Sequence, residues 1–466
     1  MKASARGNLT VIGAGPGGYV AAIRATQLGM KVVVVEKDRP GGLCLNWGCI
    51  PSKALLKSAE LFEKLKKGSA FGIKAENIGY DLSAIVDRSR GISERIVSGV
   101  EYLFKKYSIR NIKGIARLVS ANEVQVESEK EKISLSSDHI LIATGTHPRD
   151  LPGVKRDGER IISSTEAMLL KTLPKRLVIV GAGAIGMEFA YYYRCLGSEV
   201  TVLEALPRVL PVEDDEISEI VAKSFKRQGI AIETNARVAS TQRKKDEVEI
   251  QYEVAGAKKT LIADIALVAI GVDANLEGLG LEPLGIRTHK NGIAVNEHFQ
   301  TSVPTVYAIG DVIGPPWLAH VASAEGVHAV EHIAGLNPRI VNYDTIPGCT
   351  YCKPEVASVG LNERKAKERG VDYTVGRFQF RASGRALASG DADGMVKLLF
   401  EKKYGELIGA HIVGGEATEM IHELALAMNL EATAEEIGKT VHAHPTLGES
   451  VMEAALDAIG ERIHGA

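Results

Sequence analysis

Short apolar runs, glycine clusters and helically spaced apolar residues follow one another along the chain. Residues 9–12 are apolar, and Gly13-Ala14-Gly15-Pro16-Gly17-Gly18 comes next. Residues 19–29 have helical spacing, and the apolar run 31–35 ends at Glu36. This pattern predicts strand, glycine turn, helix, strand and terminal acid. The same order recurs later. Residues 177–180 lead to Gly181-Ala182-Gly183-Ala184-Ile185-Gly186, a helix to about residue 196, a strand over 199–203, and Glu204. Gly13 to Glu36 spans 23 residues, and so does Gly181 to Glu204.

One such glycine run alone says little, but two complete copies point to two dinucleotide-binding domains. Gly13 and Gly181 permit the tight turn. Gly15 and Gly183 let the backbone approach a pyrophosphate. Gly18 and Gly186 let the helix pack on the strand, with its N-terminus toward the phosphates. Glu36 and Glu204 can accept hydrogen bonds from ribose hydroxyls. One ligand is expected to be a flavin dinucleotide and the other a nicotinamide dinucleotide. Glu204 repels a 2′-phosphate, so NAD is expected over NADP; Arg208 is the one nearby cation that opposes this.

Other segments fit closure of the nucleotide sites. Residues 139–145 read as a strand ending in the small-residue turn of Thr144 and Gly145. Residues 305–311 read as another, ending in Gly310-Asp311. An acid at a strand's carboxyl end lies where α/β sheets bind ligands, so Asp311 is a candidate for ribityl hydroxyls. A helix opening at Leu318-Ala319-His320 can turn its positive end to the flavin. Ala319 and Gly271 complete the expected cofactor contacts.

Composition narrows the class. The 466 residues suggest about three domains. Hydrophobic residues are 45% and charged residues 24%, a globular balance. Lys plus Arg is 56 and Asp plus Glu is 58, a net charge of −2, so phosphate-driven nucleic-acid binding is not expected. The longest stretch without Asp, Glu, Lys or Arg, residues 7–23, holds five glycines and a proline, and no membrane span is expected. Residues 1–6 show no apolar signal core. Five cysteines are too few for a disulfide-stapled scaffold, so a reducing cytoplasm is expected.

Cys44 and Cys49 directly follow the first nucleotide unit, in Gly41-Gly42-Leu43-Cys44-Leu45-Asn46-Trp47-Gly48-Cys49. No His pair or second cysteine pair stands close enough for zinc, and no metal is expected. Residues 54–67 read as a helix. A pair five positions apart can bridge one turn if the helix start is distorted, with both sulfurs near a helix N-terminus that favours thiolate. Help is needed, because a thiol with pKa about 8.5 is only about 3% thiolate at pH 7. A candidate base lies near the other end, in His442-Ala443-His444-Pro445-Thr446-Leu447-Gly448-Glu449. Glu449 can hold the His444 imidazole in one tautomer.

The two nucleotide turns, the Cys44–Lys53 segment, Thr305-Val306-Tyr307-Ala308-Ile309-Gly310-Asp311 and His442-Ala443-His444-Pro445-Thr446 occur in one order. In that order the chain resembles the flavin-dependent pyridine nucleotide–disulfide oxidoreductases, from residue 9 to about 456. The resemblance implies tightly bound FAD, NAD and a redox-active disulfide. Cys44 resembles the interchange thiol and Cys49 the flavin-side sulfur. Lys53 and Glu188 resemble the pair beside the flavin. His444 resembles the base, and Glu449 the acid that orients it, acting on the cysteines of the other subunit of a homodimer. The implied reaction oxidises protein-bound dihydrolipoamide to lipoamide. The implied partner is the lipoyl-bearing acyltransferase of a 2-oxo acid dehydrogenase complex, or the lipoyl carrier of glycine cleavage. Other disulfide reductases fit less well: no cysteine follows Cys352, as a mercuric reductase requires, and Glu204 opposes the NADPH of glutathione reductases. Trp47 stands where many relatives carry Val and is expected to fill a core gap. Cys349 and Cys352 are expected in a turn into a strand, and Cys195 as a core thiol.

The expected fold is α/β, with two Rossmann-like dinucleotide-binding domains and a C-terminal α+β dimerisation domain. The boundaries are an FAD domain at 1–147, an NAD domain at 148–272, a central segment packing with the FAD domain at 273–345, and an interface domain at 346–466.

Overall fold

The computed structural model describes residues 8–129 and 131–465. Residues 1–6, read above for a signal core, and the outermost ends of the first and last expected domains lie outside the described residues. The chain divides into two compact units. The first comprises Met1–Leu55, Asp81–Arg149 and Gly271–Val341. The second comprises Leu56–Tyr80, Asp150–Ile270 and Asn342–Ala466.

A five-stranded parallel sheet centres the first unit, in the order Val306–Ala308, His139–Ile142, Asn8–Ile12, Lys31–Glu36, Arg110–Lys113. Its central strands are apolar on both faces, as a parallel sheet covered by helices requires. Helix Pro16–Gln27 starts at its proline, where a missing N–H costs nothing. It packs against helix Ala319–Ile333 so closely that a side chain at Gly17 would press on the Ala322 carbonyl. Arg24 and Glu331 pair at 2.6 Å further along the two helices.

The second unit repeats the device. Its parallel sheet runs Ala231–Glu233, Glu199–Leu203, Arg176–Val180, Ile265–Val268, Ile161–Ile162. Leu9 pairs with Val32 and Leu177 with Val200, so both copies share a register offset of 23 (32 − 9 and 200 − 177). The repeat therefore extends from turn spacing to strand pairing. Segment Leu56–Tyr80 joins this unit through side chains. The Tyr80 hydroxyl donates to the Leu196 carbonyl at 2.7 Å, and the Tyr191 hydroxyl to Glu63 at 3.0 Å.

An antiparallel sheet follows in the second unit, in the order Gly348–Thr350, Glu355–Gly360, Leu407–Gly414, Met395–Glu401, Tyr373–Gln379. Helices Ala417–Asn429, Ala434–Lys439 and Glu449–Ala458 bury Ile421, Leu424, Ile437, Val451 and Ala454 against it. Lys397, 1% exposed, lies on this sheet and is held by Asp214 at 2.8 Å, Glu216 at 2.8 Å and Glu363 at 2.6 Å. Among the described residues no helix is long and apolar enough to cross a membrane.

Candidate active site

Cys44 and Cys49 form a disulfide, with Cα atoms 4.7 Å apart. The anticipated distortion is a helix break. Cys44 sits on the short helix Gly42–Trp47, Gly48 interrupts it, and Cys49 opens helix Cys49–Lys66. That helix begins earlier than the spacing predicts, because Pro51 in the first turn needs no donor and does not stop it. Cys49 thus occupies the positive end of an 18-residue helix, the place that stabilises a thiolate. Lys53 lies one turn further on, its Nζ 3.5 Å from the Ser52 hydroxyl.

Both glycine turns divide their labour in the same way. Gly13 and Gly181 have φ of 101° and 105° and leave no room for a Cβ against the carbonyls of Ala143 and Ala269. Gly18 and Gly186 lie against the carbonyls of Gly13 and Gly181. The middle glycines differ. A Cβ at Gly183 would meet nothing within 4 Å, and one at Gly15 only the Gly42 Cα at 3.9 Å. The protein itself does not require glycine there, whereas a pyrophosphate lying on the backbone does. The two cradles therefore fit dinucleotides.

Glu36 and Glu204 also hold the turns themselves. Glu36 accepts from the backbone N–H of Ala14 at 2.7 Å and Asp38 at 2.9 Å. Glu204 accepts from Ala182 at 2.6 Å and Leu206 at 2.8 Å. An ionised carboxylate has about four acceptor sites, so each retains capacity for ribose hydroxyls. Arg208 is paired with Asp215. In the first unit the Asp311 carboxylate accepts from the Thr146 hydroxyl at 3.1 Å. Burial raises its pKa, and the hydroxyl opposes that rise. Thr144 and Asn275 exchange hydrogen bonds at 3.0 and 2.8 Å, which fixes the turn before Gly145. Gly271 accepts from Arg149 N–H at 3.0 Å. Ala319 opens its helix, with the Ser323 hydroxyl 3.4 Å from the Pro16 carbonyl, so two positive helix ends lie side by side near the first cradle. In the second unit, buried Glu188 accepts from Tyr351 N–H at 3.0 Å.

In the second unit His444 Nδ1 lies 2.9 Å from Glu449 Oε1, and the other carboxylate oxygen accepts from Thr446 N–H at 2.8 Å. The Glu449 pKa lies below the usual carboxylate value, first because of the Thr446 N–H and then because of His444. A carboxylate ionised at neutral pH on Nδ1 favours the tautomer whose Nε2 accepts a proton. The imidazole side chain is 80% exposed, available to a substrate or another chain. His442, two residues away, is held by Glu423 at 2.8 Å. This second His–Glu pair escaped the sequence reading because its carboxylate comes from another helix.

Three cysteines stand outside the disulfide. Burial, with the Glu63 charge, pushes Cys195 up to about 12, so it is inert at neutral pH. Cys349 lies on strand Gly348–Thr350, and buried Cys352 donates to the Pro354 carbonyl at 3.1 Å. Trp47 does more than fill a gap: its Nε1 donates to Asp38 at 3.2 Å and its ring carries the Arg90 guanidinium. Among the described residues no group of three or more His, Cys, Asp or Glu side chains is placed to hold a metal ion.

A disulfide beside one of two dinucleotide cradles defines a flavoprotein disulfide oxidoreductase. Residues 7–326 match the pyridine nucleotide-disulphide oxidoreductase family and residues 346–455 its dimerisation domain, and the chain belongs to that family. Among its relatives, the dihydrolipoyl dehydrogenase of Rhizobium etli is 46% identical, covering 97% of this chain and 98% of the relative. That of Zymomonas mobilis is 45% identical, covering 98% and 99%. The crystal structure of LpdA from Mycobacterium tuberculosis superposes with a TM-score of 0.90 at 29% identity, covering 96% and 98%.

Proposed function

We propose that the protein is an NAD-dependent dihydrolipoyl dehydrogenase. It oxidises protein-bound dihydrolipoamide to lipoamide through the Cys44–Cys49 disulfide. The observation that carries this reading is that disulfide, set between a short helix and a long helix's N-terminus, in a chain matching dihydrolipoyl dehydrogenases over nearly its whole length.

His444 Nε2 takes a proton from one substrate thiol. The thiolate attacks Cys44 Sγ, the Cys44–Cys49 bond breaks, and Cys49 leaves as a thiolate at its helix N-terminus. The second substrate thiol loses its proton to solvent and attacks the substrate sulfur of the mixed disulfide, expelling Cys44 as a thiolate. Lipoamide departs, and the imidazolium returns a proton to Cys44. The substrate loses two electrons and two protons, and the enzyme holds the electrons as a Cys44 thiol and a Cys49 thiolate, with one proton released to solvent. FAD, when bound, supplies the two-electron transfer from the dithiol to NAD+.

The chain's own residues bind and orient both cofactors. Gly13, Gly15, Gly18, Glu36, Lys53, Thr144, Gly145, Asp311 and Ala319 hold FAD. Gly181, Gly183, Gly186, Glu204 and Gly271 hold NAD, and Glu188 is the acid beside the flavin. A homodimer is part of the proposal, supported by the matched dimerisation domain and the exposure of His444. In that dimer His444 of the partner subunit serves Cys44. The partner complex is a lipoyl-bearing acyltransferase or glycine-cleavage carrier, in the cytoplasm.

The test is anaerobic NADH formation from NAD+ and dihydrolipoamide by holoenzyme. Rapid formation is expected. Failure, from protein whose bound FAD is reducible by NADH, would replace dihydrolipoamide with another disulfide substrate.

A further inference from the structure

The redox helices are held by more than their disulfide. Helix Leu82–Lys106 sends two arginines to them. Arg88 donates to the Ala54 carbonyl of the helix that begins at Cys49, at 3.0 Å. Arg90 donates to the Asn46 carbonyl of the short helix carrying Cys44. The last carbonyls of a helix lack intrahelical donors, so Arg90 satisfies one that would otherwise be orphaned. Its guanidinium also lies 4.4 Å from the centre of the Trp47 ring. Trp47 in turn donates to Asp38, whose backbone N–H is held by Glu36. Asn46 adds donations to the Pro40 and Gly42 carbonyls at 3.0 and 2.9 Å. One helix thus grips both elements that bear the sulfurs, and Trp47 links the grip to the first nucleotide turn.

This frame matters when the disulfide is open. With the disulfide closed, the S–S bond by itself would fix the spacing of Cys44 and Cys49. In the dithiol the covalent staple is gone, and non-covalent contacts must keep the sulfurs near bonding distance. A pre-positioned pair of thiols closes at a high effective concentration, which stabilises disulfide over dithiol. We infer that Arg90 and Trp47 form a clamp that keeps the reduced cysteine pair poised for reclosure and thereby sets its redox equilibrium. They are positioning residues. Arg90 suits the task because its planar fork both donates to a carbonyl and stacks on an indole, and lysine cannot do both. The inference rests on the dithiol–disulfide cycle proposed above, not on the identity of the substrate.

The test equilibrates holoenzyme anaerobically with fixed ratios of reduced and oxidised dithiothreitol. Each enzyme dithiol that closes converts one oxidised dithiothreitol to its dithiol, so the reaction is a balanced exchange. The Cys44 and Cys49 thiols are then alkylated and counted by mass spectrometry. Arg90→Gln and Trp47→Leu are expected to shift the ratio about tenfold toward dithiol, which corresponds to about 30 mV. Arg90→Lys is expected to shift it similarly, whereas Trp47→Phe, which keeps an aromatic face, stays near wild type. Ratios within twofold of wild type in both Arg90→Gln and Trp47→Leu would overturn the clamp. An Arg90→Lys variant matching wild type beside a shifted Arg90→Gln would also overturn it, by assigning the effect to charge alone. If the Arg90 variants fail to retain FAD, the Trp47→Leu and Trp47→Phe pair decides. Wild-type turnover of dihydrolipoamide, measured separately, reports on the substrate and not on the clamp.

Discussion

Replacing Glu449 with glutamine tests the proposed base through its tautomer. Glu449 accepts at both oxygens, from Thr446 N–H and from His444 Nδ1. Glutamine has one carbonyl oxygen and one amide nitrogen. Its oxygen is expected to satisfy the Thr446 N–H, because an amide placed there would set donor against donor. The amide then faces His444 Nδ1 and favours the tautomer with the proton on Nε2, which cannot accept a thiol proton. The forming imidazolium also loses a carboxylate 2.9 Å away. Two unit charges 4 Å apart attract by about 1 kcal/mol in water and about 4 kcal/mol at an effective dielectric of 20, and the pair at the proposed dimer's active site lies between these figures. The tautomer dominates, and a loss of about 10²–10⁴-fold is expected, the range of general-base catalysis. Glu449→Ala removes the charge without enforcing the wrong tautomer and should lose less than glutamine, about fivefold for each 1 kcal/mol of lost attraction. The assay is rapid anaerobic mixing with dihydrolipoamide, counting Cys44 and Cys49 thiols with time, so that NAD chemistry does not enter. Alanine as damaging as glutamine, or more so, would refute the tautomer argument.

Further predictions separate ligand-facing from structural positions. Gly183→Ala should leave the melting temperature nearly unchanged, since a Cβ there meets nothing within 4 Å, yet raise the KM for NAD at least about tenfold; Gly181→Val should destabilise the fold, because its φ is 105°. Cys195→Ser should leave turnover within about twofold, whereas Cys44→Ser should abolish disulfide exchange while FAD stays bound, as thiol counting and flavin absorbance would report. Lys397→Met should cost about 3–5 kcal/mol in denaturant unfolding, because Asp214, 2% exposed, would keep its charge without its partner. Burial raises Glu213 from 4.5 to about 7. A raised folded-state pKa gives stability that is present below pH 4.5 and lost as pH rises through about 7. Glu213→Gln should therefore raise the melting temperature at pH 8 but not at pH 4, with about 3 kcal/mol as the ceiling.

Much of this site lies within short stretches of chain, and those parts were legible in the sequence. The glycine turns, their terminal acids and the shared spacing of 23 are local, because turn, helix and strand together fix where the acid must fall. The cysteine pair and His444–Glu449 are each five residues apart, within one turn or loop. The tertiary structure alone decided what braces them. Thr146 lies 165 residues from Asp311, Lys397 lies 183 from Asp214, and Arg90 lies 44 from Asn46. Hydrophobic periodicity says which face of an element is buried but not which distant element covers it. Those partners are chosen when packing removes polar groups from water and each must find a donor, an acceptor or an opposite charge. The same reason explains Trp47. Its apolar bulk suggested a filled gap, while its indole N–H and π face were assigned only when Asp38 and Arg90 folded against it.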